Sequence, residues 1–286
     1  MSIKIIECPR DAMQGLHTFI PTNEKIKYIN KLLEVGFDTI DFGSFVSPKA
    51  IPQMRDTIEV LENLDLSKSK SKLLAIVANT RGAEDAIKFQ NIRYIGFPFS
   101  ISETFQKRNT NSTIAQSFDA VKVIHEMCVK QNKELVIYIS MGFGNPYGDE
   151  WNAEIAKHWI NEMHEIGIKI ISLSDTIGIA NPESIGYLFS NLIPTFRDIE
   201  FGAHLHTTPN TALEKINAAF INGCKRFDGA INGYGGCPMA ADKLTGNMPT
   251  EEIIAYFEKQ NIETGVSKVI FKEALLHANS VFSRIS

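Results

Sequence analysis

Short apolar runs recur along the chain at regular intervals, and each is bounded by polar or turn-forming residues. They are four to eight residues long, which is typical of buried β-strands. The eight strand candidates are residues 3–6, 37–42, 72–78, 92–97, 134–140, 168–174, 199–206 and 226–231.

Segments with helical periodicity lie between these strands. In the first of them, Ile26, Ile29 and Leu33 recur at three- and four-residue intervals and therefore share one face of a helix. The segments with this pattern are residues 23–35, 117–130, 151–166 and 208–221. Strands that alternate with helices along the whole chain indicate βαβ units and a parallel sheet. Eight such units predict an α/β fold of the (β/α)8 TIM-barrel type.

The alternative architecture is an open, doubly wound sheet, whose first turn would carry a glycine-rich phosphate loop. Residues 7–16, which follow the first strand, read ECPRDAMQGL instead, and the sequence has no GxGxxG or GxxxxGK[ST] motif. Beyond the eighth strand, residues 250–260 and 267–285 predict two further helices, suited to a lid or a bottom plug. We therefore expect residues 1–286 to form one TIM-barrel catalytic domain, with the C-terminal helices from about 250 to 286 as part of it.

Composition and charge narrow the class of protein. The chain is 44% hydrophobic and 22% charged with a net charge of -4, which is typical of globular proteins and gives no basis for nucleic-acid binding. No export signal begins the sequence, and no apolar run approaches the roughly 20 residues of a membrane helix. Four cysteines without a CxxC pair favour reduced thiols. These features predict a cytoplasmic location without a membrane partner.

In a TIM barrel the active site forms at the C-terminal ends of the strands, which singles out the polar residues there. The candidates are Arg10, Asp11, Asp41, Ser44, Tyr138, Asp175, Thr176, His204, His206, Cys237 and Asn247. Cys237 lies in a loop with three glycines around it, whereas a structural cysteine would more naturally pack inside a strand or helix. A thiol on such a loop is a candidate for chemistry.

His204 and His206 form the sharpest pair. Side chains two positions apart on a strand point to the same side, so both imidazoles can face the barrel axis. With Asp11 they would make a site for a divalent cation that leaves positions open for substrate. Two alternatives remain open at this point: satisfied core histidines, or the two-histidine, one-carboxylate site of a non-haem iron oxygenase.

Five motifs in order resemble those of the 3-hydroxy-3-methylglutaryl-CoA lyase family of metal-dependent, aldolase-type barrels. CPRDAMQ is similar to that family's PRDGLQ, SFVSPKAIPQM to SFVSPKWVPQM, and SLSDTIGIANP to SLxDTIG. HLHTT is similar to HxHDT, and GYGGCPMAADKLTGNMPTEEI to GLGGCPYAxGAxGNxATEDL. The resemblance runs from the first strand to the last helices and implies a TIM barrel with carbon–carbon lyase activity.

The resemblance also implies roles for individual residues. It assigns Mg²⁺ or Mn²⁺ binding to Asp11, His204, His206 and Asn247. The implied catalytic residues are Arg10, Asp41, Asp175 and Cys237, and the implied substrate-binding residues are Gln14, Ser44, Tyr138 and Thr176. Arg10 would stabilise an enolate, and Cys237 would transfer a proton. The implied partners are an acyl-CoA substrate and further copies of the chain, in a homodimer or higher homo-oligomer, within leucine degradation or ketone-body formation.

The chain departs from the family pattern at several positions. The family places glutamate at Asp41, glycine at Ala12, asparagine-glutamate at Gly15 and Leu16, and aspartate at Thr207. The shorter carboxylate shifts a charged group by more than about an ångström, which can cost on the order of 100-fold in rate. The expected reaction is cleavage of 3-hydroxy-3-methylglutaryl-CoA to acetyl-CoA and acetoacetate. The alternatives are a related lyase or aldolase for another 3-hydroxy-acyl-CoA or hydroxy acid, or a barrel that only binds a metabolite.

Overall fold

A computed structural model describes residues 3–236 and 245–283. Within these ranges the strands are β1 (Lys4–Glu7), β2 (Thr39–Ser44), β3 (Lys72–Ile76), β4 (Ile92–Ser100), β5 (Glu134–Ser140), β6 (Ile170–Ser174), β7 (Glu200–His204), β8 (His206–Thr207), β9 (Arg226–Gly229) and β10 (Gly246–Asn247). The helices are α1 (Pro9–Gln14), α2 (Thr22–Val35), α3 (Thr57–Glu62), α4 (Thr80–Ala86), α5 (Glu103–Thr110), α6 (Ile114–Lys130), α7 (Ala153–Glu165), α8 (Pro182–Leu192), α9 (Ala212–Ile221), α10 (Thr250–Lys259) and α11 (Lys268–Phe282). Short 3₁₀ turns span Pro52–Met54 and Ile231–Gly233.

Eight parallel strands close into a barrel in the order β1-β2-β3-β4-β5-β6-β7-β9. The barrel closes where Lys4 of β1 pairs with Arg226 of β9. The predicted (β/α)8 fold is therefore confirmed. The strand candidate at 199–206 is divided, because β7 ends at His204 and β8 leaves the barrel to pair antiparallel with β10.

The amphipathic pattern of α2 shows how an outer helix is fixed. Tyr28, Ile29 and Leu32 are almost fully buried on its inner face. The helix ends at Gly36, which has a φ of 96° in the left-handed region. A Cβ at Gly36 would lie 2.8 Å from the carbonyl oxygen of Gly265, so both the conformation and the close approach require glycine.

The two C-terminal helices pack on the outside of the barrel and form neither the lid nor the bottom plug that the sequence suggested. Phe257 of α10 lies with its ring centroid 5.2 Å from that of Phe227 on β9, so α10 takes the place of the outer helix after the eighth barrel strand. Phe282 of α11 packs edge-on against Tyr28 of α2 at 6.0 Å. Both helices therefore bury apolar side chains against the outside of the fold. As an exposed lid, either helix would have left the ring of Phe257 or Phe282 in water.

The barrel interior has an apolar half and a charged half. A compact apolar cluster fills the side formed by β3 to β6, and its members are Leu74, Ile76, Tyr94, Val136, Tyr138 and Ile170. On the opposite side Arg226 is fully buried and its Nη1 donates to Glu200 Oε1 at 3.2 Å. Asp228 stands two residues further along β9 and therefore faces the same interior. TIM-barrel interiors are usually filled by branched aliphatic residues, so the charged half of this interior is unusual. Arg226 and Asp228 lie along β9 in the direction of the C-terminal end of the barrel.

Glu7, the last residue of β1, is a fully buried carboxyl that joins three elements. Its Oε1 accepts the backbone N–H of Ile231 at 2.9 Å, and its Oε2 accepts the hydroxyl of Thr250 at 2.6 Å. Burial raises the pKa of Glu7 to about 8, although both hydrogen bonds act against the shift. The carboxyl thus ties the turn after β9 and the first turn of α10 to β1.

No helix within the described ranges is both long and apolar enough to cross a membrane.

The raised pKa of Glu7 predicts a pH-dependent stability. Its pKa moves from 4.5 to about 8 on folding, so between these values the folded state holds a proton that the unfolded state has released. The free energy of unfolding should therefore fall as the pH rises through this window. Glu7→Gln removes the charge, while its amide oxygen can still accept the backbone N–H of Ile231 and its amide NH₂ can donate to the hydroxyl oxygen of Thr250. Urea unfolding at the two ends of the window should show a smaller loss of unfolding free energy than in the wild type, by more than about 2 kcal/mol.

A matched control is Glu62→Gln, which changes an exposed glutamate at the end of α3. Its pH dependence should parallel that of the wild type. Parallel curves for wild type and Glu7→Gln would show that Glu7 titrates normally.

Candidate active site

The segment after β1 places two charged side chains, those of Arg10 and Asp11, at the C-terminal end of the barrel. Pro9 occupies the first turn of α1. Its lack of an N–H costs nothing there, because N–H groups of the first turn have no acceptor within the helix. Arg10 and Asp11 follow in that turn, so they lie in a short helix and not on the end of the strand itself. Both are buried, at 7% and 6% exposure. Their charges therefore require partners inside the fold.

Asp11, His204 and His206 form a group that fits a metal ion. One ligand atom from each, a carboxylate oxygen and two ring nitrogens, lies within 4.8 Å of the others. Neither ring nitrogen of His206 has a hydrogen-bond partner among the described residues, although the ring is buried. A buried imidazole without a partner is costly, and a cation in this position would satisfy it. The predicted triad is thus brought together.

Charge keeps the acidic ligand ionised. Burial alone would raise the pKa of Asp11, but the Arg10 guanidinium and the neighbouring imidazoles hold it below its ordinary value. For His206, burial and the neighbouring His204 lower the pKa to about 4. The group therefore presents a carboxylate and at least one neutral imidazole, which are the forms that bind metal.

Asn247 reaches the triad through the small β8–β10 sheet, in which it pairs with His206. Its Nδ2 donates to the carbonyl oxygen of Tyr234 at 2.8 Å, and a side-chain hydrogen bond from Asn247 also lowers the pKa of Asp11. Gly235, with a φ of 83°, makes this approach possible. A Cβ there would lie 2.5 Å from the Asp11 carbonyl oxygen and 3.0 Å from Asn247 Nδ2. The glycines before position 237 thus have a packing role.

Asp228 orients one of the histidines, and sequence reasoning missed it. Its Oδ2 lies 3.1 Å from His204 Nδ1, while Oδ1 has no partner in the ranges that the structure covers. The contact leaves His204 Nε2 free for an ion. Burial lowers the pKa of His204, but the contact with Asp228 and the nearby charge of Asp11 raise it, and the net shift is upward. The sequence signal that could have identified Asp228 was a charged residue within an otherwise apolar strand.

Arg10 is held between two carboxylates. Its Nη1 donates to Asp11 Oδ1 at 2.8 Å. Its Nε lies 3.2 and 3.0 Å from the two oxygens of Asp41, and Nη2 donates to the same carboxylate. Burial raises the pKa of Asp41 to about 6 against the pull of Arg10. The guanidinium is therefore fixed beside the metal-ligand group.

Asp175, predicted to be catalytic, is occupied by structural contacts. Its Oδ2 accepts from Lys215 Nζ at 2.9 Å, and its Oδ1 accepts the backbone N–H of Ala180 at 3.0 Å. Lys215 is itself buried and also donates to the carbonyl oxygen of His206 at 2.7 Å. This ion pair holds the backbone of a metal-ligand candidate. Lys215 gave no sequence signal, because a lysine in an amphipathic helix normally faces solvent.

The predicted substrate-binding residues have different surroundings. Gln14 donates to Asp11, Ser44 accepts the backbone N–H of Val46 at 3.1 Å, and Thr176 accepts that of Met141 at 2.8 Å. The Tyr138 ring packs edge-on against His204 at 5.4 Å, and its hydroxyl has no partner among the described residues. Tyr138 therefore keeps a free polar group beside the triad. Cys237 lies outside the described residues.

Comparison with known proteins finds relatives that match nearly the whole chain. The HMGL-like family model matches residues 3–274. The hydroxymethylglutaryl-CoA lyase YngG of Bacillus subtilis is 35% identical over 258 residues, which cover 90% of this chain and 85% of that protein. The 3-hydroxy-3-isohexenylglutaryl-CoA/hydroxymethylglutaryl-CoA lyase of Pseudomonas aeruginosa is 30% identical over 267 residues, covering 92% and 87%.

Solved structures give the same result. The HMG-CoA lyase of Brucella melitensis superimposes with a TM-score of 0.92 at 28% identity and covers 99% of both chains. That of Acinetobacter baumannii, solved in complex with coenzyme A and 3-methylmalate, has a TM-score of 0.90 at 30% identity and covers 99% of this chain and 92% of that one. With a family model that matches nearly its whole length, this chain belongs to the HMGL-like family.

Proposed function

We propose that this protein is a divalent-metal-dependent carbon–carbon lyase that cleaves 3-hydroxy-3-methylglutaryl-CoA to acetyl-CoA and acetoacetate. The observation that carries the proposal is the buried group of Asp11, His204 and His206 with Arg10 fixed beside it. It occurs in a chain that is 35% identical to a protein of that activity. An oxygenase with the same three ligand types has no counterpart in these relatives, so the lyase is favoured.

Asp11, His204 and His206 would hold the ion, with Asn247 completing or supporting the set. A carboxylate and imidazoles with open positions suit Mg²⁺ or Mn²⁺, and the unpartnered ring of His206 supports such an occupant. A bound divalent cation supplies a Lewis acid that makes the C3 hydroxyl of the substrate more acidic. The chain's own residues do the remaining work.

We assign the base that accepts the C3 hydroxyl proton to Asp41. Among the described residues, only the Arg10 side chain holds Asp41, whereas both oxygens of Asp175 are engaged by Lys215 and the backbone of Ala180. As the proton leaves, the C2–C3 bond breaks, C3 becomes the ketone carbon of acetoacetate, and the electron pair passes into the enolate of acetyl-CoA. Asp175 then acts by holding the His206 backbone.

Arg10 would stabilise the negative charge on the enolate oxygen, because its guanidinium is always charged and already oriented. The enolate carbon finally needs a proton, which we assign to the thiol of Cys237 as the family resemblance implies. Gly233, Gly235 and Gly236 precede it and all have positive φ, a conformation that glycine adopts without strain. The thiol would be restored by a proton from solvent.

The second candidate function is the same cleavage on an acyl-CoA with a different C3 substituent. It is favoured by the shorter side chain of Asp41, and the Pseudomonas aeruginosa relative is named for two such substrates. The coenzyme A bound in the Acinetobacter baumannii relative supports the acyl-CoA partner. The homo-oligomeric assembly, the cytoplasmic location, and a role in leucine degradation or ketone-body formation stay predictions from the sequence.

The assignment of Cys237 predicts a selective loss of activity. Cys237→Ser should reduce acetoacetate release from 3-hydroxy-3-methylglutaryl-CoA by about 100-fold or more, since general acid catalysis is typically of that size. The control is Cys128→Ser, which alters a buried thiol of α6 and should leave turnover unchanged. Full activity in Cys237→Ser would remove the thiol from the mechanism.

The role of Asp41 predicts a separation between chemistry and metal binding. Asp41→Asn should lower kcat by at least about 100-fold while Mn²⁺ binding, followed by electron paramagnetic resonance, is maintained. Asp41→Glu should retain turnover of 3-hydroxy-3-methylglutaryl-CoA. A silent wild type together with an active Asp41→Glu variant would instead show that this site is adapted to another acyl-CoA.

The contact between Asp228 and His204 predicts a metal-affinity effect. Asp228→Asn should weaken Mn²⁺ binding by about 10- to 100-fold, because the partner of a ligating imidazole fixes its tautomer and orientation. Titration calorimetry on the apoenzyme measures this without turnover. Asp38→Asn, which alters a carboxylate paired with Lys72, is the control. Equal affinities in Asp228→Asn and wild type would contradict the orienting role.

A further inference from the structure

A cavity of about 220 Å³ adjoins the candidate site, between the loop after α1 and the 3₁₀ turn after β2. We name it the Phe19 cavity, and the lining residues that matter here are Gln14, Gly15, Phe19, Gln53 and Arg55. Gln14 lines the cavity and donates its side-chain amide to Asp11. The cavity therefore begins one side chain away from the metal-ligand group.

The wall of this cavity is fixed by Gln53. This residue is buried, and its Oε1 accepts the backbone N–H of Ile20 at 2.9 Å. Its Nε2 donates to the carbonyl oxygens of Thr18 at 2.9 Å and Leu16 at 3.4 Å. One side chain thus holds the backbone of the whole loop, and a ligand would meet a preformed surface.

Arg55 is presented to the cavity as a free cation. Its guanidinium carbon lies 3.5 Å from the centroid of the Phe19 ring, and Lys25 Nζ lies 4.2 Å from the same centroid. Lys25 is neutralised by Asp56 at 2.7 Å, whereas no described residue makes a hydrogen bond or ion pair with the Arg55 side chain. A guanidinium stacked on a ring keeps its N–H edge available for a planar or tetrahedral anion.

We propose that the Phe19 cavity is an anion subsite in which Arg55 binds a phosphate or carboxylate group of the acyl-CoA substrate. The proposal rests on the function proposed above, because the substrate carries both kinds of anion. No acidic residue lines the cavity, so nothing within it neutralises Arg55. Gly15 and Leu16, which also line it, carry no charge.

Gly15 also leaves room for the ligand. A Cβ built at this position meets no atom within 4 Å, and the φ of -84° is open to any residue. Space beside position 15 and a free cation at position 55 therefore occur in the same cavity. The two features together make it a recognition element of this chain.

The test is calorimetric binding to the full-length protein in the presence of Mn²⁺. The probes are coenzyme A, 3′-dephospho-coenzyme A and free 3-hydroxy-3-methylglutarate. Arg55→Met should weaken binding of at least one probe by about 10-fold, the loss expected for one exposed charge-assisted contact. Arg197→Met, an exposed arginine between α8 and β7, is the matched control and should change none.

The pattern of loss identifies the anion. If Arg55→Met weakens binding of coenzyme A only, the 3′-phosphate occupies the subsite. If binding of both coenzyme A and 3′-dephospho-coenzyme A is weakened, the pyrophosphate occupies it. If binding of 3-hydroxy-3-methylglutarate is weakened, the acyl carboxylate occupies it. Gly15→Trp fills the cavity without altering Arg55 and should weaken the same probe. Thermal unfolding of each variant shows that the fold is intact.

Affinities that match the Arg197→Met control for all three probes in both variants would overturn the subsite. Because binding is measured without turnover, this outcome is separate from the lyase assignment. A protein that binds coenzyme A through Arg55 but releases no acetoacetate would keep the subsite and lose the proposed reaction.

Discussion

A buried guanidinium between two carboxylates is the contact on which the candidate site depends. Arg10 joins Asp11 in the first turn of α1 to Asp41 on β2, and all three side chains are removed from water. Without the cation, two like charges would face each other in a medium that screens them poorly, and protonation of one of them would be favoured. The same contact that joins α1 to β2 therefore keeps the carboxylate of the candidate metal site ionised and fixes a positive charge beside it.

The charged half of the barrel interior continues this arrangement below the site. Arg226 is paired with Glu200 near the start of the strands, and Asp228 stands between Arg226 and His204. An interior of aliphatic residues alone would have offered His204 no acceptor, and its ring could then rotate or change tautomer. The cost of burying these charges is offset by their mutual attraction, and the result is an oriented imidazole at the barrel mouth.

Two departures from the family pattern acquire a physical meaning in the fold. Thr207 does not orient an imidazole: its hydroxyl lies 3.4 Å from the carbonyl oxygen of Asn247 and so supports the β8–β10 pair. Asp228 contacts the ring of His204, and Lys215 holds the backbone of His206. The replacements at Gly15 and Leu16 alter the wall of a neighbouring cavity and leave the metal-ligand group untouched.

The periodicity of apolar residues was sufficient to predict the eight barrel strands and their alternation with helices. The reason is that apolar residues occur at the positions of a strand or helix that are buried, and their spacing therefore identifies the element. It also predicted Asp11, His204 and His206, since all three lie at or just beyond strand ends that a parallel barrel must gather at one rim. Tertiary structure alone decided which buried charges meet. The pairs Asp228–His204 and Lys215–Asp175 join residues 24 and 40 positions apart, and no local pattern encodes them. Their partners are set by strand register and helix packing, which bring distant side chains within hydrogen-bond distance only after the barrel has closed.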